Sequence, residues 1–350
     1  MGIEKKNFEK IVDGKPVELF ILRNQKGMEM SVINYGAKIV SLLVPDQRGQ
    51  VKDVVLGKNS IEEYLNDQEP YFGAICGRTA NRIADGRFTL EGVEYVLVQN
   101  NAPNSLHGGP KGFHAVVWDA YQPDEQTLQL SYLSKEGEEG FPGNLKVKVV
   151  YRLTEENALE IDYEAATDKT TLVNLTNHAY FNLSGEGDPS IEDHVLQIQA
   201  DSYLPINAVA IPLGNPEKVA GTPFDLRSPH AIGEQIGEDD TQLLYGKGYD
   251  HNFVLNPGDM ALNWAAKVVS PKTGIEMDIY TTEPGIQLYT GNFLDGSFTG
   301  KNGHIYPFRS AFCLETQHFP DSIHHPDYPE TILRPGETFR SKTVYAFTVV

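Results

Sequence analysis

The sequence reads as all-β: one large antiparallel β-sandwich with few short helices, a single domain over residues 1–350. Three observations carry this. Short, β-branched, alternating segments recur along the whole chain, each closed by Gly, Pro, Asn or Asp. No stretch keeps a helical hydrophobic period for long. No strand–helix–strand rhythm appears, so a parallel α/β sheet is not expected. A sandwich split into separate lobes is the competing arrangement.

In chain order, Val17–Leu22, Met30–Ile33 and Lys38–Val44 read as strands, with Asn34-Tyr35-Gly36 as the turn between the last two. Asp53–Leu56 follows a second turn. Ser60–Leu65 predicts one or two helical turns, capped by Ser60 and acidic at its start. Tyr71–Ile83 (YFGAICGRTANRI) reads as a loop entered from a buried segment. Arg87–Leu90 and Tyr95–Val98 flank Glu91-Gly92, a hairpin signal. Asn100–Gly112 (NNAPNSLHGGPKG) is too rich in Asn, Pro and Gly for regular structure, and carries His107. Leu128–Ser134, Leu145–Arg152 and Leu159–Thr167 alternate well. The stretch Thr171–Gly185 (TLVNLTNHAYFNLSG) reads as a buried strand delivering Asn, His and aromatic groups to an edge or mouth. His194–Gln199 follows, and Ile232–Ile236 reads as a short helix. Ala266–Ser270, Ile275–Thr281, Ile286–Thr290, Ala311–Gln317 and Thr343–Val350 complete the strands.

The 350 residues suffice for a large core without staples. A formal charge of −19 argues against nucleic acid and anionic membranes as partners. Cys76 and Cys313 lie far apart in apolar surroundings, so neither a disulfide framework nor zinc spacing is expected. The N-terminal MGIEKKNFEK lacks an apolar signal core, and no run approaches membrane-spanning length. A cytoplasmic protein is the expectation.

Candidate chemistry rests on a few groups. Glu315 sits inside the apolar run AFCLETQ, where a carboxylate is costly unless paired or hydrogen-bonded. Two readings stand: an ion pair with Arg78 or Arg82, or a general base in a cleft. His107 and His178 lie among Asn, Ser and Gly, a setting open to acid–base work. Asp250 in GYDHNF and Gln287 in EPGIQLY are either turn and strand groups or acceptors for ligand hydroxyls. His318, His324 and His325 match no strong metal spacing, so no metal is expected. P-loop, dinucleotide-binding and nucleophile-elbow motifs are absent, and no cofactor is expected. Carboxylate, imidazole, amide and arginine remain, enough for proton transfers on a sugar.

GRTANRI, NSLHGG, EEGFPGNL, VNLTNHAYFNL, ADSYLPIN, GTPFDLR, GYDHNF, YTGNFLDG and CLETQHFPDS, in this order, resemble the aldose 1-epimerase (galactose mutarotase) family from about Asn34 to Arg334. The resemblance implies a large antiparallel β-supersandwich and interconversion of the α and β anomers of free hexoses such as galactose and glucose. It implies Glu315 as general base, His178 as general acid and His107 as an assisting ligand near the ring oxygen. It also implies that Asn81, Arg82, Asp250 and Gln287 contact sugar hydroxyls and that Tyr180 lines the pocket. The residues alone do not choose between His107 and His178 as the acid; the resemblance does. Departures at Thr79 and in Ser322–Pro326 leave the sugar preference open. The chemistry requires His178 to hold its proton near neutral pH, helped by nearby negative charge, and gives a bell-shaped pH dependence. The implied partner is a small hexose, bound by a monomer or homodimer. The competing functions are a non-catalytic sugar-binding protein on the same fold and a hexose-6-phosphate 1-epimerase.

Overall fold

The computed structural model describes residues 3–258 and 261–350. A nine-stranded sheet dominates it. Its spatial order is Asp119–Tyr121, Thr127–Ser134, Leu145–Leu153, Ala158–Thr167, Phe339–Val349, Ile275–Thr281, Asn263–Val269, Val195–Ile198 and His230–Ala231. Every pairing in it is antiparallel. Alternation explains the long strands. In Leu145–Leu153, Leu145, Val147, Val149, Tyr151 and Leu153 are buried, while Lys146, Lys148 and Arg152 face water.

A four-stranded N-terminal sheet (Leu19–Arg23, Glu29–Ile33, Lys38–Pro45, Val51–Asp53) closes one side of the core. A five-stranded sheet runs Glu217–Lys218, Ser202–Tyr203, Asp250–Val254, Gly285–Tyr289, Cys313–Gln317. One continuous core joins all three, from Met30, Ile39 and Leu42 through Val149 and Ile161 to Ile286, Leu288 and Leu314. Gly285–Tyr289 and Cys313–Gln317 are buried at every position. Such strands are covered on both faces. Ile286, Leu288 and Leu314 take the apolar face, leaving Gln287 and Glu315 on the other.

The Ser60 cap is observed: its hydroxyl accepts from Glu63 N at the start of helix Ile61–Leu65. Ile232–Ile236 is not a helix. His230–Ala231 instead pairs with Val195–Leu196 at the sheet edge, and turns follow. The second helix is Thr241–Gly246, capped by Asp240. Among the described residues, no helix is long and apolar enough to cross a membrane. The stretch at His178 is not one strand either. Thr171–Leu172 pairs with Ile332–Leu333, and Thr176–His178 pairs with Ala74–Cys76. Tyr71–Ile83 is therefore partly strand rather than all loop.

Candidate active site

Strand register brings the two central groups together. Phe181 and Phe312 form an antiparallel bridge with both backbone bonds made, 2.7 and 2.9 Å. Counting three residues back along one segment and three forward along the other places His178 opposite Glu315. Beyond them, the Asn174 carboxamide takes over from the backbone. It accepts from His318 N–H and donates to His318 C=O, both at 3.0 Å. His178 and Glu315 thus face each other across a seam held at both ends. The His178 Nε2–Glu315 Oε1 distance is 3.5 Å, with both side chains almost wholly buried.

Aromatic rings frame the pair. His178 lies near-parallel to Tyr180, with centroids 4.9 Å apart, and to Tyr71 at 5.7 Å. His107 meets it edge-on at 5.2 Å. On the far side, His178 Nδ1 is 3.5 Å from Cys313 Sγ.

His107 and Asn81 brace one another. His107 N–H donates to Asn81 C=O (3.0 Å), and Asn81 N–H donates to His107 Nδ1 (3.1 Å). Both residues are left-handed, with φ of 49° and 59°. Such conformations cost about 1–3 kcal/mol each and persist where surroundings over-determine them. Gly108 has to be glycine, since a Cβ there would lie 1.9 Å from Gly77 O. The irregular Asn100–Gly112 segment is thus pinned at His107.

Asp250 Oδ1 accepts from Gln287 Nε2 at 2.7 Å. Arg82 Nε donates to Asn101 Oδ1 at 3.0 Å. A cavity of about 560 Å³ collects Asn81, Arg82, His107, His178, Tyr180, Asp250 and Glu315. Gln287 pairs with Glu315 in the strand register and donates to the Asp250 carboxylate from the neighbouring strand. Arg78 does not pair with Glu315. Its guanidinium is buried elsewhere, donating to Ser134, Pro142 O, Thr171 and Lys135 O. Tyr71, Glu69, His114 and Tyr289 also line the cavity. Sequence reading passes over them, because no spacing or composition distinguishes them from ordinary turn and core residues.

Burial governs the charges here. It drives Glu315 well above its ordinary range; Asp250's charge adds to this and Arg82 opposes it. Burial drives His178 down to about 3, and Lys38 adds to that. Burial also raises Asp250, against Arg82 and the Gln287 hydrogen bond. The expectation that His178 holds its proton near neutral pH is therefore opposed by its surroundings. Burial favours the neutral imidazole and pushes Glu315 toward its protonated form.

His107, His178 and Glu315 offer ligand atoms within 4.8 Å of one another, a donor set that zinc can take. The hydrogen bonding fits a metal poorly. A ligating histidine normally donates from its second nitrogen. Here His107 Nδ1 accepts from Asn81 N–H, which places the ring proton on Nε2. His107 is thus a fixed hydrogen-bond donor.

An all-β sandwich holding a buried carboxylate–imidazole pair in a cavity of amides, aromatics and carboxylates defines a carbohydrate-handling acid–base protein. The family model for aldose 1-epimerase matches residues 18–346. A rat protein named galactose mutarotase is 47% identical over 336 residues, 96% of this chain and 95% of its own. An aldose 1-epimerase of Escherichia coli K12 is 41% identical over 337 residues, 96% of each. Among solved structures, an aldose epimerase homologue from C. elegans superposes with a TM-score of 0.89 at 31% identity, covering 95% of this chain and 99% of that one. Galactose 1-epimerase from Lactobacillus acidophilus gives 0.85 at 31% identity, covering 97% of each. The chain belongs to the aldose 1-epimerase family, and so to the isomerases that act on carbohydrates.

Proposed function

We propose that the protein interconverts the α and β anomers of free hexoses, D-galactose and D-glucose among them. The observation that carries this is the 3.5 Å approach of His178 Nε2 to Glu315 Oε1 inside one cavity. A pyranose whose C1–O5 edge lies against this pair meets a base and an acid together. Glu315, as carboxylate, takes the O1 proton. His178, as imidazolium, gives a proton to O5. The C1–O5 bond breaks and the C1 carbonyl forms. Rotation about C1–C2 presents the other carbonyl face, and the transfers reverse. Each positioned acid or base contributes about 10²–10⁴-fold.

In the reactive state the proton of the pair is on His178 and Glu315 is ionised, against the preference that burial sets. Sugar hydroxyls donating to the carboxylate favour that state. His107 Nε2–H serves as a donor at the anomeric end. Asn81, Arg82 and Asp250 hold the remote hydroxyls, Tyr180 covers C–H surface, and Gln287 positions Asp250. In this reading the protein works in the cytoplasm as a monomer or homodimer, and size-exclusion chromatography decides between the two.

Polarimetry on freshly dissolved α-D-glucose and α-D-galactose tests the activity. The wild type should speed the decay of rotation well beyond buffer. Decay at the buffer rate overturns the catalytic reading and leaves sugar binding alone. Glu315→Gln should lose about 10²–10⁴-fold in kcat. Full activity in that variant removes Glu315 from its role.

A further inference from the structure

The cavity extends beyond the residues given roles above, into a wall made by the segment after helix Ile61–Leu65. Glu69 lies on that wall, partly buried, beside Tyr71 and Tyr180. Its carboxylate accepts from Tyr71 N–H at 3.3 Å, and the Tyr180 hydroxyl favours its ionised form. A carboxylate has about four acceptor positions, so acceptor capacity remains. No cation lies within salt-bridge distance of it among the described residues. The near candidate, Lys38, donates to Pro70 O at 2.5 Å and sits over the rings of Tyr35 and Tyr64. The other lysine of this region, Lys58, is held by Asp67 at 2.7 Å. A half-buried carboxylate without a cationic partner is costly unless something donates to it. In a cavity that takes polyhydroxylated ligands, the donor to hand is a hydroxyl.

Resting on the anomer-interconverting reading, we propose that Glu69 is a substrate-contacting, specificity-determining residue that accepts a hydrogen bond from one pyranose hydroxyl remote from C1. Asp250 and Glu69 then hold the sugar from two separate walls, and Glu315 senses the charge of both. Two anchors away from C1 fix the ring and leave the anomeric carbon free to turn. Burial raises Glu69 to about 7, so it is an ionised acceptor on the alkaline side of neutrality.

The test measures initial mutarotation rates at about pH 8, where Glu69 is mostly ionised, for the wild type, Glu69→Gln and Glu69→Ala. Substrates are D-galactose, D-glucose and their 2-, 3-, 4- and 6-deoxy analogues. Charge-assisted hydrogen bonds set the scale: Glu69→Ala should raise KM about tenfold with kcat within about twofold, and Glu69→Gln less. One deoxy sugar should show the same KM loss with the wild type and lose nothing further with Glu69→Ala. Equal KM values in all three proteins overturn the proposal. So does an additive loss for every deoxy sugar, which would mark Glu69 as structural. The deoxy series on the wild type reads out independently of whether a variant folds. Absence of any wild-type mutarotation instead defeats the underlying activity, a distinguishable outcome.

Discussion

At the scale of single residues, the informative feature is the opposite pull of burial on two adjacent groups. Glu315 is raised and His178 is lowered to about 3. The acid edge of the one-proton state therefore moves down with His178, and its alkaline edge becomes the loss of the Glu315 proton. Acid must add a second proton to His178 to inactivate it, and alkali must strip the proton from Glu315. The acid side of the bell expected from ordinary carboxylate and imidazole values moves down with His178. In kcat/KM profiles, the limb that belongs to His178 should fall well below pH 6.5, its ordinary value. A His178-dependent limb at or above that value would contradict this electrostatic account. Stability carries the same signature. The unfolded chain releases the Glu315 proton near 4.5, whereas the folded chain keeps it to higher pH. The carboxyl thus costs nothing below about 4.5 and lowers stability increasingly above it. Glu315→Gln removes this cost, so its melting temperature should gain on the wild type as pH rises from 4.5 toward neutrality. A gap that stays constant with pH would show that Glu315 is not held protonated.

At the scale of elements, the seam between Thr176–His178 and Cys313–Gln317 sets the chemistry. A fully laddered pair would offer no gap for a ligand. A loose pair would not hold 3.5 Å between acid and base. The Phe181–Phe312 bridge closes one end, and the Asn174 side chain closes the other. Asn174→Ala removes both bonds to His318 and leaves a part-buried N–H and C=O without those partners. A loss of about 1–3 kcal/mol in urea unfolding is expected. Because the seam spreads there, kcat should fall while the far-UV spectrum stays native. Wild-type kcat in a destabilised Asn174→Ala would separate the bridge from catalysis. The loop carrying His107 obeys similar logic. Its left-handed Asn81 and His107 hold each other, so its rigidity comes from reciprocal hydrogen bonds rather than from repetitive structure.

At the scale of the whole molecule, charge selects among sugars. The chain carries −19, and the acidic residues Asp67, Glu69 and Asp250 line the cavity, against Arg82 as its arginine. That field suits neutral hydroxylated ligands and opposes a phosphate. Glucose 6-phosphate should be a far poorer substrate than glucose, by about tenfold or more in kcat/KM for each 1.4 kcal/mol of unfavourable charge interaction. Raising salt should narrow the difference. Equal rates on the two sugars at low salt would reopen the phosphorylated-hexose reading.

By itself, the sequence determined what is local or patterned. Period-two alternation laid out the long strands. The Ser60 cap marked a helix, the motif order marked the family, and Glu315 stood out because a carboxylate interrupts an apolar run. Tertiary structure decided everything that depends on which segments become neighbours. Arg78 and Arg82 are equally plausible partners for Glu315 along the chain, yet Arg78 is spent on Ser134, Pro142 and Thr171, while Arg82 reaches the cavity. Gln287 sits on a predicted strand, but only cross-strand pairing brings it to the Asp250 carboxylate. Glu69 carries no sequence signal because its place comes from the segment after helix Ile61–Leu65 folding against a cavity whose other walls are distant in sequence. The protonation of His178 was equally hidden. Residue type sets an ordinary value, but burial and neighbouring charge set the actual one, and both are properties of the assembled sandwich.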